Sequence, residues 1–332
     1  MPIRSVSRRA CVAVILVMAA AACGGPTPPA VPPAGNAIAL PGDVRVRLNG
    51  QVTRVPLEEY VLGTVLAEIA PANDPPDVVA RIYGIQAIIA RTYAAYHRGR
   101  HEHEGFDLCD ATHCQVYQPD RVRTSRFAAA ARQAVADTRG QILAYGARPA
   151  EALFHADCGG HTAAAEVIWG GRVPYLVGTV DAVPDQTHRV WQFTVTREQL
   201  RTALNAAPTT AVGVELRGVR IASRDASGRA MTLEVSGEHS RTLRGEQVRA
   251  AVNQRHGAFA IRSTRFTLSL DGDDYRFDGT GWGHGVGLCQ VGAMARIRRG
   301  EAVSSVLATY YPGARLLRTS RQALSPRPFP PA

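Results

Sequence analysis

The chain first alternates apolar and polar residues at Val44 to Leu48 (VRVRL) and resumes with QVTRV after Asn49-Gly50. Two such runs separated by Asn-Gly predict a β-hairpin, because a tight primed turn needs positive φ at both central positions. The period then lengthens. Pro56 opens a helix that Leu57 to Ala70 continue and Pro71 stops. A second helix is expected from a cap at Asp77 to about His97, with Gly99 ending it, and a third from Ser125 to Asp137. Downstream, short strand patterns occur at 141–145, 152–155, 192–196, 219–222, 231–235 and 265–270. Helical patterns fall at 197–206, 245–253 and 304–311. Helices and strands are interspersed without a regular β-α-β period, so the expected class is α+β, with mixed helices and antiparallel strands.

The ends read differently. Arg4, Arg8 and Arg9 precede an apolar run from Cys11 to Ala22, shorter than a membrane-spanning helix requires and typical of a secretory signal. Small residues run up to Cys23, and Gly24-Gly25 and a Pro-rich stretch follow. That arrangement is similar to a bacterial lipoprotein signal, with Cys23 as the lipidated residue; cleavage of an ordinary signal nearby is the other reading. The expected organisation is a signal peptide at 1–22, a Pro/Ala/Gly-rich tether at 23–43, a folded region at 44–318 with a β-rich part at about 190–275, and a disordered tail at 319–332. The protein is thus expected to be exported and held at the cell envelope by its N-terminal lipid.

At 332 residues and 45% hydrophobic, the chain is long enough for a large core. Its formal charge is +10, carried wholly by Arg, since the sequence contains no Lys. The arginines are scattered without a basic arm or an aromatic-basic motif, which argues against nucleic acid.

Four segments carry candidate chemistry. In PLEEYVLGTVLAEIA (56–70), Val61, Leu62, Val65, Leu66 and Ile69 form one apolar stripe, and Glu68 falls about 80° from its centre. A carboxyl at such an edge is partly desolvated, which raises its pKa toward that of a general acid. The helix GIQAIIARTYAAYH (84–97) carries Gln86, Arg91 and Thr92 in a buried pattern, where polar groups need partners. FHADCGGHT (154–162) breaks at Gly159-Gly160, and GTGWGHGVGLCQVGAMA (279–295) is a Gly- and His-rich loop running into a helix. The last lacks a phosphate-loop ending, so close backbone approach to a ligand or to another part of the fold suits it better.

In order, PLEEYVLGTVLAEI, AIIARTYA, DATHCQVY, FHADCGGHT, GWGHGVGLCQVGAMA and YYPG resemble the family of stage II sporulation protein D and the amidase enhancers, over roughly residues 44 to 318. The resemblance implies a glycan-binding cleft. It further implies a lytic transglycosylase acting on peptide-free glycan strands, with Glu68 as its acid and no cofactor required for catalysis. Arg91, Thr92, His284 and Gln290 become candidates for holding substrate or orienting Glu68. Peptidoglycan glycan strands are the implied partner, and a cell-wall amidase the alternative one, since the enhancer branch of the family points to a non-catalytic binding module.

The cysteines leave two readings open. An even number in an exported chain favours disulfides, and the resemblance singles out Cys158 and Cys289 as a matched pair, because family members often carry Ser at both. His103, Cys109 and Cys114, with His113 adjacent, instead suggest a structural zinc site.

Overall fold

The computed structural model describes residues 38–183 and 188–319. The expected signal, Cys23, most of the tether and nearly all of the expected tail lie outside those residues. The chain enters through β1 (Asp43–Leu48) and β2 (Gln51–Pro56), an antiparallel hairpin with Leu48 opposite Gln51. Asn49 and Gly50 take φ of 50° and 83°, as a primed turn demands.

Helices α1 (Leu57–Glu68) and α2 (Pro76–Tyr96) follow, then a 3-10 turn at Glu102–Glu104, β3 (Leu108–Cys109), α3 (Arg121–Thr124) and α4 (Ala128–Asp137). Next come β4 (Gln141–Tyr145), β5 (Arg148–Pro149), β6 (Phe154–His155) and α5 (Ala165–Trp169). A strand-rich stretch holds β7 (Val190–Thr196), α6 (Arg197–Leu204), β8 (Leu216–Arg224), β9 (Ala230–Gly237), β10 (Arg241–Arg244), α7 (Gly245–His256), β11 (Phe266–Asp271) and β12 (Asp274–Thr280). The chain closes with β13 (Leu288–Cys289), α8 (Gln290–Arg298), α9 (Val303–Tyr310) and β14 (Arg315–Arg318).

The strands form small sheets ordered β2-β1-β3, β10-β9-β8, β11-β12-β7, β13-β6 and β14-β4-β5. Most pairings are antiparallel and helices lie among them, so the fold is α+β. Two hydrophobic cores result. One gathers α1 and α2 with residues of α4, α8 and α9, and the other lies among β7 to β12 with α6 and α7. Among the described residues no helix is long and apolar enough to cross a membrane.

Two local expectations change. Helix α1 is buried nearly all round, from Leu57 and Tyr60 through Leu66, rather than along one stripe, because α2 and the loop carrying Tyr117 enclose it. Gly63 makes that enclosure possible: a Cβ there would stand 2.5 Å from the Tyr117 ring. Helix α2 starts at Pro76 with Pro75 as its N-cap, so Asp77 lies in the first turn, where its charge favours the helix dipole instead of capping it.

Candidate functional site

Glu68 is the last residue of α1. Its Oε1 accepts the Val116 amide at 2.6 Å, and burial pushes its pKa up to about 7 against the opposing pull of that hydrogen bond. The desolvation comes from the end of a fully enclosed helix, a stronger cause than the stripe edge read from the sequence.

The loop that delivers Val116 is built residue by residue. Gln115 wedges between helices, its Nε2 donating to the Tyr60 hydroxyl and to the Ala90 carbonyl, each at 3.3 Å. Tyr117 packs its ring on Tyr60 at 5.1 Å. Upstream, His101, Cys109, His113 and Cys114 bring their donor atoms within 4.8 Å of one another.

That cluster fits zinc. Bonds of about 2.3 Å to sulfur and 2.0–2.1 Å to nitrogen place tetrahedral neighbours roughly 3.3–3.8 Å apart. Here Cys114 Sγ lies 3.5 Å from His101 Nε2 and 3.7 Å from His113 Nδ1, and Cys109 Sγ lies 3.9 Å from His113 Nδ1. The opposite ring nitrogen of His101 faces Glu104 Oε1 at 2.6 Å, the carboxylate support that ligand histidines commonly have.

His103, proposed from spacing, is not part of the cluster. The 3-10 turn sets His101 and Glu104 on one face at i, i+3 and turns His103 outward, its side chain 80% exposed. The fourth donor is His101, and the acidic residue three positions after it was the available sequence signal.

The residues proposed to hold substrate do not gather at Glu68. Arg91 is fully buried at the other end of α1, about 15 Å away at 1.5 Å per helical residue. It grips Glu58 through Nε at 3.0 Å and Nη2 at 2.6 Å. Its remaining N–H groups go to the carbonyls of Ala87, Val135 and Gln141, so all five donors are spent. Thr92 donates to the Ile88 carbonyl at 2.6 Å and accepts the Leu143 amide at 2.9 Å. Both are braces inside the fold.

His284 is likewise occupied. Its Nε2–H donates to the Phe154 carbonyl at 3.0 Å while Nδ1 accepts the Val286 amide at 3.1 Å. Burial, then the charges of Arg229 and Arg249, lower its pKa to about 3. The ring is therefore neutral and faces Trp169 at 5.1 Å.

Gln290 does reach the site. Its Nε2 donates to the Glu68 carbonyl at 3.2 Å and to Gln86 Oε1 at 3.3 Å. The glycines before it serve close approach within the protein rather than an anion. Gly287 has φ 73°, and a Cβ there would fall 2.0 Å from the Leu153 carbonyl oxygen.

Cys158 and Cys289 are buried free thiols with their sulfur atoms within 4.8 Å of each other. The structure brings the proposed pair together and draws no bond between them. Around the same loop, Trp282 carries the guanidinium groups of Arg189 at 5.1 Å and Arg262 at 4.8 Å over its ring.

Residues 48–145 match the family model described as stage II sporulation protein, and residues 165–287 match a domain of unknown function. An uncharacterised protein of Brachyspira hyodysenteriae is 28% identical over 272 residues, 81% of this chain and 69% of that protein. Stage II sporulation protein D of Bacillus subtilis is 27% identical over 282 residues, 81% of this chain and 76% of the relative. The amidase enhancer of Bacillus subtilis is 25% identical over 294 residues, 76% of this chain and 40% of the much longer relative. Residues 48–145 are thus similar to the stage II sporulation protein domain, and most of the chain is similar to stage II sporulation protein D and the amidase enhancer.

Proposed function

We propose that this protein works on the bacterial cell wall as a lytic transglycosylase of peptide-free glycan strands, with Glu68 as its single acid and base. The observation that carries the reading is a carboxyl held at a pKa of about 7 at the end of an enclosed helix, with one backbone amide fixing its orientation. Protonated near neutral pH, it would donate to the glycosidic oxygen as the C1–O bond breaks and an oxocarbenium-like centre develops. The carboxylate left behind would then take the proton of the sugar's own 6-hydroxyl, whose oxygen closes on C1 to form a 1,6-anhydro ring. No water attacks and no second carboxylate is required.

Substrate contact beyond Glu68 would come from the surface of the Gly-His-Gly loop. Trp169 and Phe259 are 50% and 61% exposed, and Trp282 sits between two arginines. Aromatic faces suit sugar rings, and guanidinium groups suit the carboxylates that stripped glycan carries. Gln290 would orient Glu68 through its main-chain carbonyl.

Zinc at His101, Cys109, His113 and Cys114 would be structural, closing a four-ligand site without an open position. Its chemistry would be to pin the loop whose Val116 amide meets Glu68. Export with lipid attachment at Cys23 belongs to the same reading, since a cell-wall substrate lies outside the cytoplasm.

A binding module that stimulates a cell-wall amidase is the second reading. It is favoured by the engagement of Arg91, Thr92 and His284 inside the fold, which leaves Glu68 with few polar partners. Incubation with peptide-free glycan decides between them. Anhydro-ended fragments released by the wild type and not by Glu68→Gln are the expected outcome. Glycan binding without cleavage, together with faster turnover of an added amidase, would establish the module instead.

A further inference from the structure

We infer that His155, Cys158 and Cys289, with Asp181 beside them, form a second metal site for a borderline-soft divalent ion such as zinc. It is separate from the cluster around Cys109 and Cys114. The three N and S donor atoms lie within 4.8 Å of one another, and all three residues are buried.

The placement follows from strand pairing. β6 and β13 run parallel with His155 opposite Cys289, which puts the two side chains on one side of the ladder. Cys158 returns over them from the turn after β6. His155 Nδ1–H donates to the Val286 carbonyl at 3.2 Å, so Nε2 is the lone-pair nitrogen. That nitrogen has no hydrogen-bond partner although the ring is only 4% exposed. An unmet buried acceptor carries a desolvation cost, which a metal bond would remove. The carbonyl bond on the far nitrogen is also how ligand histidines are usually oriented.

The sulfur atoms both meet backbone amides. Cys289 Sγ accepts the amides of Cys158 at 3.2 Å and Gly292 at 3.3 Å, the latter at the N-terminus of α8. Cys158 Sγ accepts the Gly160 amide at 3.2 Å.

Asp181 stands beside the three donors, its Oδ2 accepting a hydrogen bond from Cys158 Sγ at 3.3 Å. The carboxylate is fully buried and held by the Tyr310 hydroxyl at 2.9 Å and Arg296 at 3.1 Å. Binding would release the two thiol protons to solvent and leave two thiolates and one imidazole on the metal, with its fourth position open. A disulfide between the same cysteines would use two of these three donors and leave His155 Nε2 still unpartnered. The metal would join segments 131 residues apart at the position just before Gln290.

The test uses the full chain, purified without reductant and supplied with zinc. Metal analysis should return two zinc ions per chain. Unfolding in urea with chelator and an alkylating reagent, still without reductant, should then modify both Cys158 and Cys289. In Cys158→Ser, with unchanged circular dichroism, the count should fall to one. Should that variant fail to fold, Cys109→Ser with His113→Ala is titrated with cobalt(II), whose thiolate charge-transfer band should appear at one equivalent. One zinc per chain in the wild type, or a Cys158–Cys289 disulfide that resists alkylation, would overturn the assignment.

Discussion

Gln290 donates a hydrogen bond to the main-chain carbonyl of Glu68 at 3.2 Å, joining residues 222 positions apart. Because Glu68 ends α1 and Gln290 begins α8, this bond fixes the two helix termini against each other. One N–H serves Glu68 and the other serves Gln86, so a single amide side chain ties three helices. The carboxyl of Glu68 is then positioned from two sides, by Gln290 at its backbone and by the Val116 amide at its Oε1.

The raised pKa of Glu68 sets a pH dependence for stability and for the proposed glycan cleavage. Glycan cleavage should decline as pH rises through about 7, where the general acid loses its proton. Stability should move the same way. The group titrates near 4.5 when unfolded and about 7 when folded, so between those values the native state holds the extra proton. Stability from this group is complete below the unfolded value and is lost as pH rises through the folded one. Glu68→Gln should therefore cost a hundredfold to ten-thousandfold in rate, roughly, while raising stability above pH 7 by at most about 3 kcal/mol. Urea melts of both proteins at pH 5 and pH 8 read the crossover. A variant that is less stable at both pH values would show that Glu68 serves only as a brace.

His113→Ala should abolish the zinc binding proposed for the His101/Cys109/His113/Cys114 cluster and His103→Ala should not. Metal content and melting temperature, measured with and without chelator, separate the two. Equal loss in both variants would put His103 back among the ligands.

Arg91→Met should destabilise the fold by about 3–5 kcal/mol, because it leaves Glu58 and the carbonyls of Ala87, Val135 and Gln141 without the Arg91 donors. KM for glycan should stay unchanged in whatever fraction remains folded. A selective rise in KM with normal stability would make Arg91 a substrate residue after all.

Cys23→Ser should abolish lipid attachment and leave the precursor unprocessed or the protein soluble. One acyl chain holds a membrane weakly, so stable anchoring requires the multiply acylated N-terminus of a lipoprotein. Labelling with a fatty-acid probe and fractionation of envelopes give the readout. A mature N-terminus elsewhere, without lipid, would sink the proposal.

Local rules carried the sequence reading wherever neighbours in the chain decide the outcome. Asn49-Gly50 specified its hairpin because φ is a property of single residues, and Pro56 precedes α1 as its N-cap for the same reason, whereas the helix ends at Glu68 with Ile69 extended, two residues short of the expected Ala70. Helical period placed Glu68 near apolar residues, but the enclosure of α1 by α2 and the Tyr117 loop, which desolvates its carboxyl, was not legible from that period. Strands β13 and β14 carry too few patterned residues to stand out, and they exist through partners distant in sequence. The roles of polar residues needed the fold for the same cause. Arg91 and Thr92 looked available until Glu58, Val135, Gln141 and Leu143 arrived from other elements to use their donors and acceptors. His101 and His103 differ by two positions in sequence, and only the 3-10 turn decides which faces the cysteines. A donor's direction, unlike a backbone preference, is settled by what packs around it, and in this chain those partners lie tens to hundreds of residues away.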